Sequence, residues 1–281
     1  MSRQQQQSNV MNLSTTHLER TSHIQRQKSK IPATIISITQ ENPTIKSFLF
    51  SCLSPNKFTF LPGQWLDVFI PNIPTVGGFS LTSHPLSPHF QLAVKHSTHP
   101  PAKWFHEEAK VGDVVEVRVG GDFVWNDEEE KNDETRSVVM IAGGVGINPL
   151  MSMLDYMCEC RDREAEEGIL RDIRLLYSAK TYSELLFLER IESLKRNWSG
   201  NMVCTYYITK EEGMDSSNGS EFAYGRRISK DVIDTIVDAE RDHSMKSKWF
   251  ICGPPSMEDD VIGWLRARGI EEERIKFEKW W

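Results

Sequence analysis

The chain has 281 residues, room for about two domains at roughly 150 residues each. Its 39% apolar, 26% charged and 10% aromatic residues are ordinary globular usage and exclude collagenous, mucin-like and wholly disordered classes. With 33 Lys and Arg against 40 Asp and Glu the formal charge is −7, so no general basic field attracts nucleic acid or anionic lipid.

No apolar run reaches the roughly 18 residues of a spanning helix, so no membrane span is expected. Cys52, Cys158, Cys160, Cys204 and Cys252 are odd in number and mostly far apart, and they read as reduced, intracellular thiols. Cys158 and Cys160 stand two apart on a predicted helix and point to different faces, so no metal site is expected. Nor is there a cysteine cluster suited to an iron–sulfur centre.

Residues 1–30 are rich in Gln, Ser, Thr and Asn and carry Arg3, Arg20, Arg26, Lys28 and Lys30 against Glu19 alone. They read as a disordered tail or a targeting segment. The base and hydroxyl content resembles a mitochondrial transit peptide, although apolar residues are too sparse for a good amphipathic helix, which leaves mitochondrial and cytoplasmic locations both open.

Residues 31–126 break into short β-type runs separated by Pro, Gly, Ser and Asn: Ala33–Ile38, Ser47–Phe50, Trp65–Ile70, Phe90–His96 and Val114–Val119. Several alternate apolar and polar, as half-buried strands do. Residues 102–110 predict one short helix. This half reads as a small antiparallel β-barrel. Residues 127–136 hold a charge run with nothing to bury and read as an acidic linker.

Residues 137–281 alternate strand and helix: Val138–Ala142, a helix from Pro149, Ile173–Ser178, a helix through Leu185–Leu194, Met202–Ile208, a helix from Ser229, Trp249–Cys252, a helix from Ser256, and Ile275–Phe277. That alternation predicts a parallel sheet covered on both faces, with ligands bound at the carboxyl ends of its strands.

Three motifs carry chemistry. In Val138-Val139-Met140-Ile141-Ala142-Gly143-Gly144-Val145-Gly146-Ile147-Asn148-Pro149 an apolar strand runs into a glycine-rich turn and a helix start, where free backbone N–H groups suit a diphosphate. It is not the commoner G-x-G-x-x-G fingerprint. Trp249-Phe250-Ile251-Cys252-Gly253-Pro254-Pro255 ends a second strand at the same sheet edge, where Cys252 is either a ligand neighbour or a small buried residue. Gly77-Gly78-Phe79-Ser80 in the barrel half sets an aromatic beside a hydroxyl.

In this order the motifs resemble the ferredoxin-NADP reductase superfamily over residues 31–281. More closely, Gly77-Gly78-Phe79-Ser80, His99-Pro100-Pro101-Ala102, Tyr177-Ser178-Ala179-Lys180, Ser183-Glu184-Leu185-Leu186-Phe187 and Phe277-Glu278-Lys279-Trp280-Trp281 resemble the oxidoreductase NAD-binding domain-containing protein 1 family. The resemblance implies an FAD-binding FR-type barrel at 31–126 and an NAD-binding α/β domain at 137–281. It implies that Gly143, Gly144, Val145, Gly146, Ile147 and Asn148 seat the dinucleotide, that Cys252 and Gly253 border nicotinamide, and that Phe79 and Ser80 border flavin. Trp280 or Trp281 either covers the flavin ring or closes an aromatic cluster against the core.

The departures bear on the cofactors. Where the superfamily has an arginine for the flavin phosphate this chain has Gly77, and its stacking tyrosine is Phe79; FAD is therefore expected with a weakened phosphate contact. Pro100 and Pro101 lack N–H donors, while Ser80, Thr82, Lys95 and Lys103 are candidate replacements. Ser178-Ala179-Lys180-Thr181 offers one lysine and no arginine at the expected ribose end, which favours NAD over NADP. Arg226 and Arg227 either reach that crevice or cap a solvated junction. The implied activity is hydride transfer from NADH to flavin and on to an unidentified acceptor, with Cys252 beside nicotinamide. The alternative is an NAD-binding sensing or interaction module that has lost flavin.

Overall fold

Among the residues that the computed structural model describes, which are 16–52, 58–127, 129, 135–166, 171–212, 222–242 and 246–279, the strands form two six-stranded sheets. The first comprises β1 (Ile31–Asn42), β2 (Ile45–Cys52), β3 (Trp65–Phe69), β4 (Gly77–Ser80), β5 (Phe90–Lys95) and β6 (Val114–Gly120). Its order is β4-β3-β6-β1-β2-β5 with every neighbour antiparallel. A bridge between Leu81 and Leu92, and a bond from Thr82 N to Gln91 O of 2.9 Å, bring the end of β4 back to β5 and close the barrel. Closure removes the exposed edges that an open sheet would present. Phe48, Phe50, Leu66, Val68, Leu92 and Val117 fill the interior, and a helix, Pro100–Glu107, adds Phe105 against Phe48 and Phe50.

The second sheet comprises β7 (Thr135–Gly143), β8 (Asp172–Ala179), β9 (Met202–Ile208), β10 (Phe222–Tyr224), β11 (Lys246–Cys252) and β12 (Ile275–Phe277), all parallel in the order β10-β9-β8-β7-β11-β12. Burial on both faces explains why β7 reads as a continuous apolar run. Its Met140 and Ala142 pack into one core with Leu150 and Leu154, while Val139 and Ile141 pack into another with Val237 and Leu265. The order reverses at β7, so the crevice between the ends of β7 and β11 is the switch point where such sheets bind ligands.

The expectation of a disordered tail through residue 30 is corrected for residues 16–30. Thr16 and Glu19 close a capping box around a short helix, α1 (His17–Arg20), and the following segment runs along the end of β6, with Gln27 N bonded to Val119 O at 2.9 Å. Asp67, fully buried on β3, is the physical reason. It accepts hydrogen bonds from His17 Nε2 at 2.9 Å, Arg26 Nε at 3.0 Å and Arg118 Nε at 2.8 Å. Burial acts to raise its pKa, but these bonds and the two guanidinium charges outweigh it and hold the carboxyl below its usual range. A charge buried on a barrel strand has to be paired, and the N-terminal segment supplies two of its partners.

Of the expected linker, residues 128 and 130–134 lie outside the described residues. Asp127 is held, accepting from Trp125 Nε1 at 3.0 Å and from Tyr156 OH at 2.9 Å, and β7 starts at Thr135. The remaining helices are labelled in chain order: α2 (Pro100–Glu107), α3 (Ile147–Glu166), α4 (Leu188–Asn197), α5 (Lys230–Asp242) and α6 (Pro255–Ala267).

Candidate functional site

The apolar strand β7 ends at Gly143, a single tight turn spans Gly144–Gly146, and α3 starts at Ile147. Gly144 has φ +55°. Gly146 is glycine for want of room, because a Cβ there would collide with the carbonyl of Cys252. The turn after β7 thus lies directly on the end of β11, where Cys252 stands in register with Ala142. Gly253 N donates to Glu258 Oε1 of α6 at 2.7 Å and fixes the turn that follows. Glu258 is fully buried and its Oε2 has no partner; burial chiefly pushes its pKa up to about 8.

Two clefts open from this switch point and share Lys95, Gly143, Gly144 and Pro254, so they form one crevice. The barrel-side cleft, of about 440 Å³, is bordered by Phe79, Ser80, Asn148, Cys252 and Gly253. Phe79 is held edge-on to Phe105 with ring centroids 5.3 Å apart. The structure therefore brings the glycine turn, the end of β11 and the Phe79-Ser80 pair to one space. Ile147 is buried in the core beneath it. Trp280 and Trp281 lie outside the described residues; the described chain ends beside β11, with Glu278 N bonded to Ile251 O at 3.4 Å.

Asn148 departs from a simple phosphate role. It is 5% exposed, and its Nδ2 donates to Ala93 O of the barrel at 2.8 Å. Ser152 Oγ makes a parallel bond to Ser83 O at 2.6 Å, so the start of α3 is pinned to the barrel at two points. The Oδ1 of Asn148 is buried without a partner at the wall of the cleft. An orphaned acceptor there matches a ligand that brings a donor, such as a carboxamide or a hydroxyl.

The barrel-side cleft is lined by His17, Arg20, Lys95 and His99 and by no carboxylate among the described residues. In a chain of net charge −7, Arg20 and Lys95 give that cleft a local field for an anion. The donor set fits an organic diphosphate or phosphate and an aromatic ring beside it, which is what the implied flavin brings. Sequence reasoning missed His17 and Arg20 by assigning them to the tail. The signal was present as the Thr16-x-x-Glu19 spacing of a capping box. Of the four candidate replacements for the lost arginine, Ser80 and Lys95 reach the cleft. Thr82 is buried and bonded to Gln91, and Lys103 pairs with Glu107 at 3.7 Å.

The second cleft, of about 250 Å³, runs over the ends of β8 and β9 and is lined by Ser178, Lys180, Glu184, Thr209, Lys210 and Arg227, among others. Arg227 does reach the crevice. The expectation of NAD over NADP rested on one lysine and no arginine at this end; Lys180, Lys210 and Arg227 converge here, facing Glu184 and Asp260.

A family model described as oxidoreductase NAD-binding domain matches residues 140–262. The chain is 37% identical over 273 residues to oxidoreductase NAD-binding domain-containing protein 1 of Bos taurus, covering 94% of this chain and 85% of that protein. In structure it is similar to a ferredoxin NADP+ reductase from Neisseria gonorrhoeae with bound FAD and NADP (TM-score 0.68, 18% identity, 90% and 99% of the two chains). It is also similar to the flavohem-like FAD/NAD-binding domain of nitric oxide dioxygenase from Vibrio cholerae (TM-score 0.68, 17% identity, 89% and 98%). The two-domain fold is thus that of ferredoxin-NADP reductases, and the chain belongs to the oxidoreductase NAD-binding domain-containing protein 1 family.

Proposed function

We propose that this protein is a flavin-dependent oxidoreductase that takes a hydride from a reduced nicotinamide dinucleotide and passes electrons to a separate acceptor. The observation that carries the reading is the shared crevice: the cleft at the end of β7 and the cleft at the barrel mouth meet at Gly143, Gly144 and Pro254. Such a space lets two rings lie against one another, and orienting two reactants in this way lowers the barrier greatly. When bound, flavin supplies the redox chemistry, accepting the hydride of the nicotinamide.

The chain's own residues bind and orient. Gly143–Gly146 and the start of α3 present backbone N–H groups to the dinucleotide diphosphate. Asn148 Oδ1 accepts from the nicotinamide end, and Cys252 and Gly253 border it closely because neither is bulky. Phe79 and Ser80 border the flavin. Trp281 is assigned the cover of that ring by family resemblance alone. The donor is NADH, with NADPH admitted by Lys180, Lys210 and Arg227.

A second reading, a dinucleotide-binding module without flavin, draws on Gly77 and on the two prolines at the start of α2. Absorbance spectra of the purified chain, taken without oxygen before and after FAD and then NADH, separate the two. Bound flavin that bleaches with NADH supports the reductase. NADH binding without flavin uptake supports the module.

A further inference from the structure

We infer that the N-terminal segment is part of the cofactor site, and that Arg20, brought to the barrel mouth by the docking of His17 on Asp67, is the cation that holds the phosphate of a bound flavin. The inference rests on the flavin-dependent reading above and adds to it a residue from outside the barrel strands.

The first observation is steric. The imidazole of His17 fills the space a side chain on residue 78 would need: a Cβ built on Gly78 would collide with Cε1, Nδ1 and Nε2 of that ring. The ring is 3% exposed, packs edge-on against Trp65 at 4.8 Å and donates to the buried Asp67. Gly78, next to the Gly77 that stands in place of an arginine, is therefore what lets α1 dock, while a Cβ on Gly77 would meet Phe79 and Pro101 instead.

The second is electrostatic. Arg20 stands one turn beyond His17 and lines the cleft together with Gly78, Phe79, Ser97 and His99. Burial chiefly lowers the pKa of His99, and the charge of Arg20 adds to it, which places the guanidinium within electrostatic reach of the start of α2. That helix start is poor in donors. Pro100 and Pro101 have no N–H, and Lys103 N is already bonded to His99 O at 2.9 Å. An anion there draws on side-chain cations instead, and a guanidinium meets a phosphate with two parallel bonds.

The third is the anchor. Asp67 collects His17, Arg26 and Arg118, and Arg26 Nη1 also bonds the carbonyls of Thr21 at 2.7 Å and Ile24 at 3.0 Å on the far side of α1. The segment is clamped on both sides of Arg20, so the backbone that carries it is already ordered at the cleft.

Titrating the full chain and its Arg20→Ala variant with riboflavin, FMN and FAD by flavin fluorescence tests this, with NADH as a control. Loss of a charge-assisted contact should weaken FMN and FAD about ten- to a hundredfold while riboflavin and NADH binding stay within twofold. Arg20→Lys should recover part of the loss. A loss for both assigns Arg20 to the first phosphate, which FMN and FAD share, and a loss for FAD with FMN unchanged assigns it to the second. Flavin bound by the unaltered chain and equally by Arg20→Ala overturns the inference and leaves the reductase reading intact, as does a loss confined to NADH. No flavin uptake by the unaltered chain overturns both.

Discussion

Gly146 and Cys252 touch through backbone alone: the α-carbon of one lies so near the carbonyl of the other that no Cβ fits between them. The contact joins the turn after β7 to the end of β11 and sets the width of the switch-point crevice. Gly146→Ala should therefore force the two strand ends apart. Overpacking of this kind costs about 1–3 kcal/mol. The expected result is a melting temperature lower by a few degrees and an NADH affinity weakened at least tenfold in a fluorescence titration. Unchanged affinity would show that the dinucleotide does not use this turn.

Asn148 joins the two domains through Nδ2 and offers Oδ1 to the cleft. Asn148→Ala removes both, leaving Ala93 O without its donor, at about 1–3 kcal/mol. Both the melting temperature and NADH affinity should fall. A fall in stability alone would confine Asn148 to joining the domains.

Glu258 sets a pH dependence with a definite sign. Its pKa is about 8 in the folded chain against an ordinary 4.5, so between these values the folded form holds a proton that the unfolded form has released. Stability from this group is therefore greatest at low pH, declines as pH rises toward about 8, and is flat beyond. Glu258→Gln keeps an acceptor for Gly253 N and abolishes the decline. Melting curves from pH 5 to 9 should converge at the acid end and separate at the alkaline end, the variant being more stable there; parallel curves would refute the assignment.

Asp67 carries the opposite sign. Its pKa lies below the usual 3.8, so its contribution is present above that value and is lost as pH falls through the lowered one. Asp67→Asn leaves Arg26 and Arg118 without their counter-charge and His17 without its carboxylate acceptor. Breaking a buried pair in this way costs about 3–5 kcal/mol. Hydrogen exchange should speed up at residues 16–30 before it does in the barrel core.

Arg227 tests the choice of dinucleotide. A 2′-phosphate needs a cation that a 2′-hydroxyl does not, so Arg227→Ala should raise the KM for NADPH several-fold more than that for NADH. Equal changes would move Arg227 off the ribose.

Much of this molecule was legible in the chain of residues. Alternation and strand–helix order marked the two domains, Met202–Ile208 and Ile275–Phe277 emerged with the same ends as predicted, and the glycine turn and the Cys252 motif pointed to one sheet edge. These signals are local: periodicity, turn chemistry and helix starts depend on neighbours a few residues apart. β10 is not among the predicted strands, and β4 is read there as a motif without strand bounds. What only the tertiary structure decided lies in partners far apart in the chain. A polar, basic segment looks unstructured until Asp67, 50 positions beyond His17, is seen buried and in need of charge. Gly78 looks like an idle neighbour of a lost binding arginine until His17 is found in the space it leaves. Composition carries no record of such pairings, because the desolvation that compels them exists only once the barrel has closed.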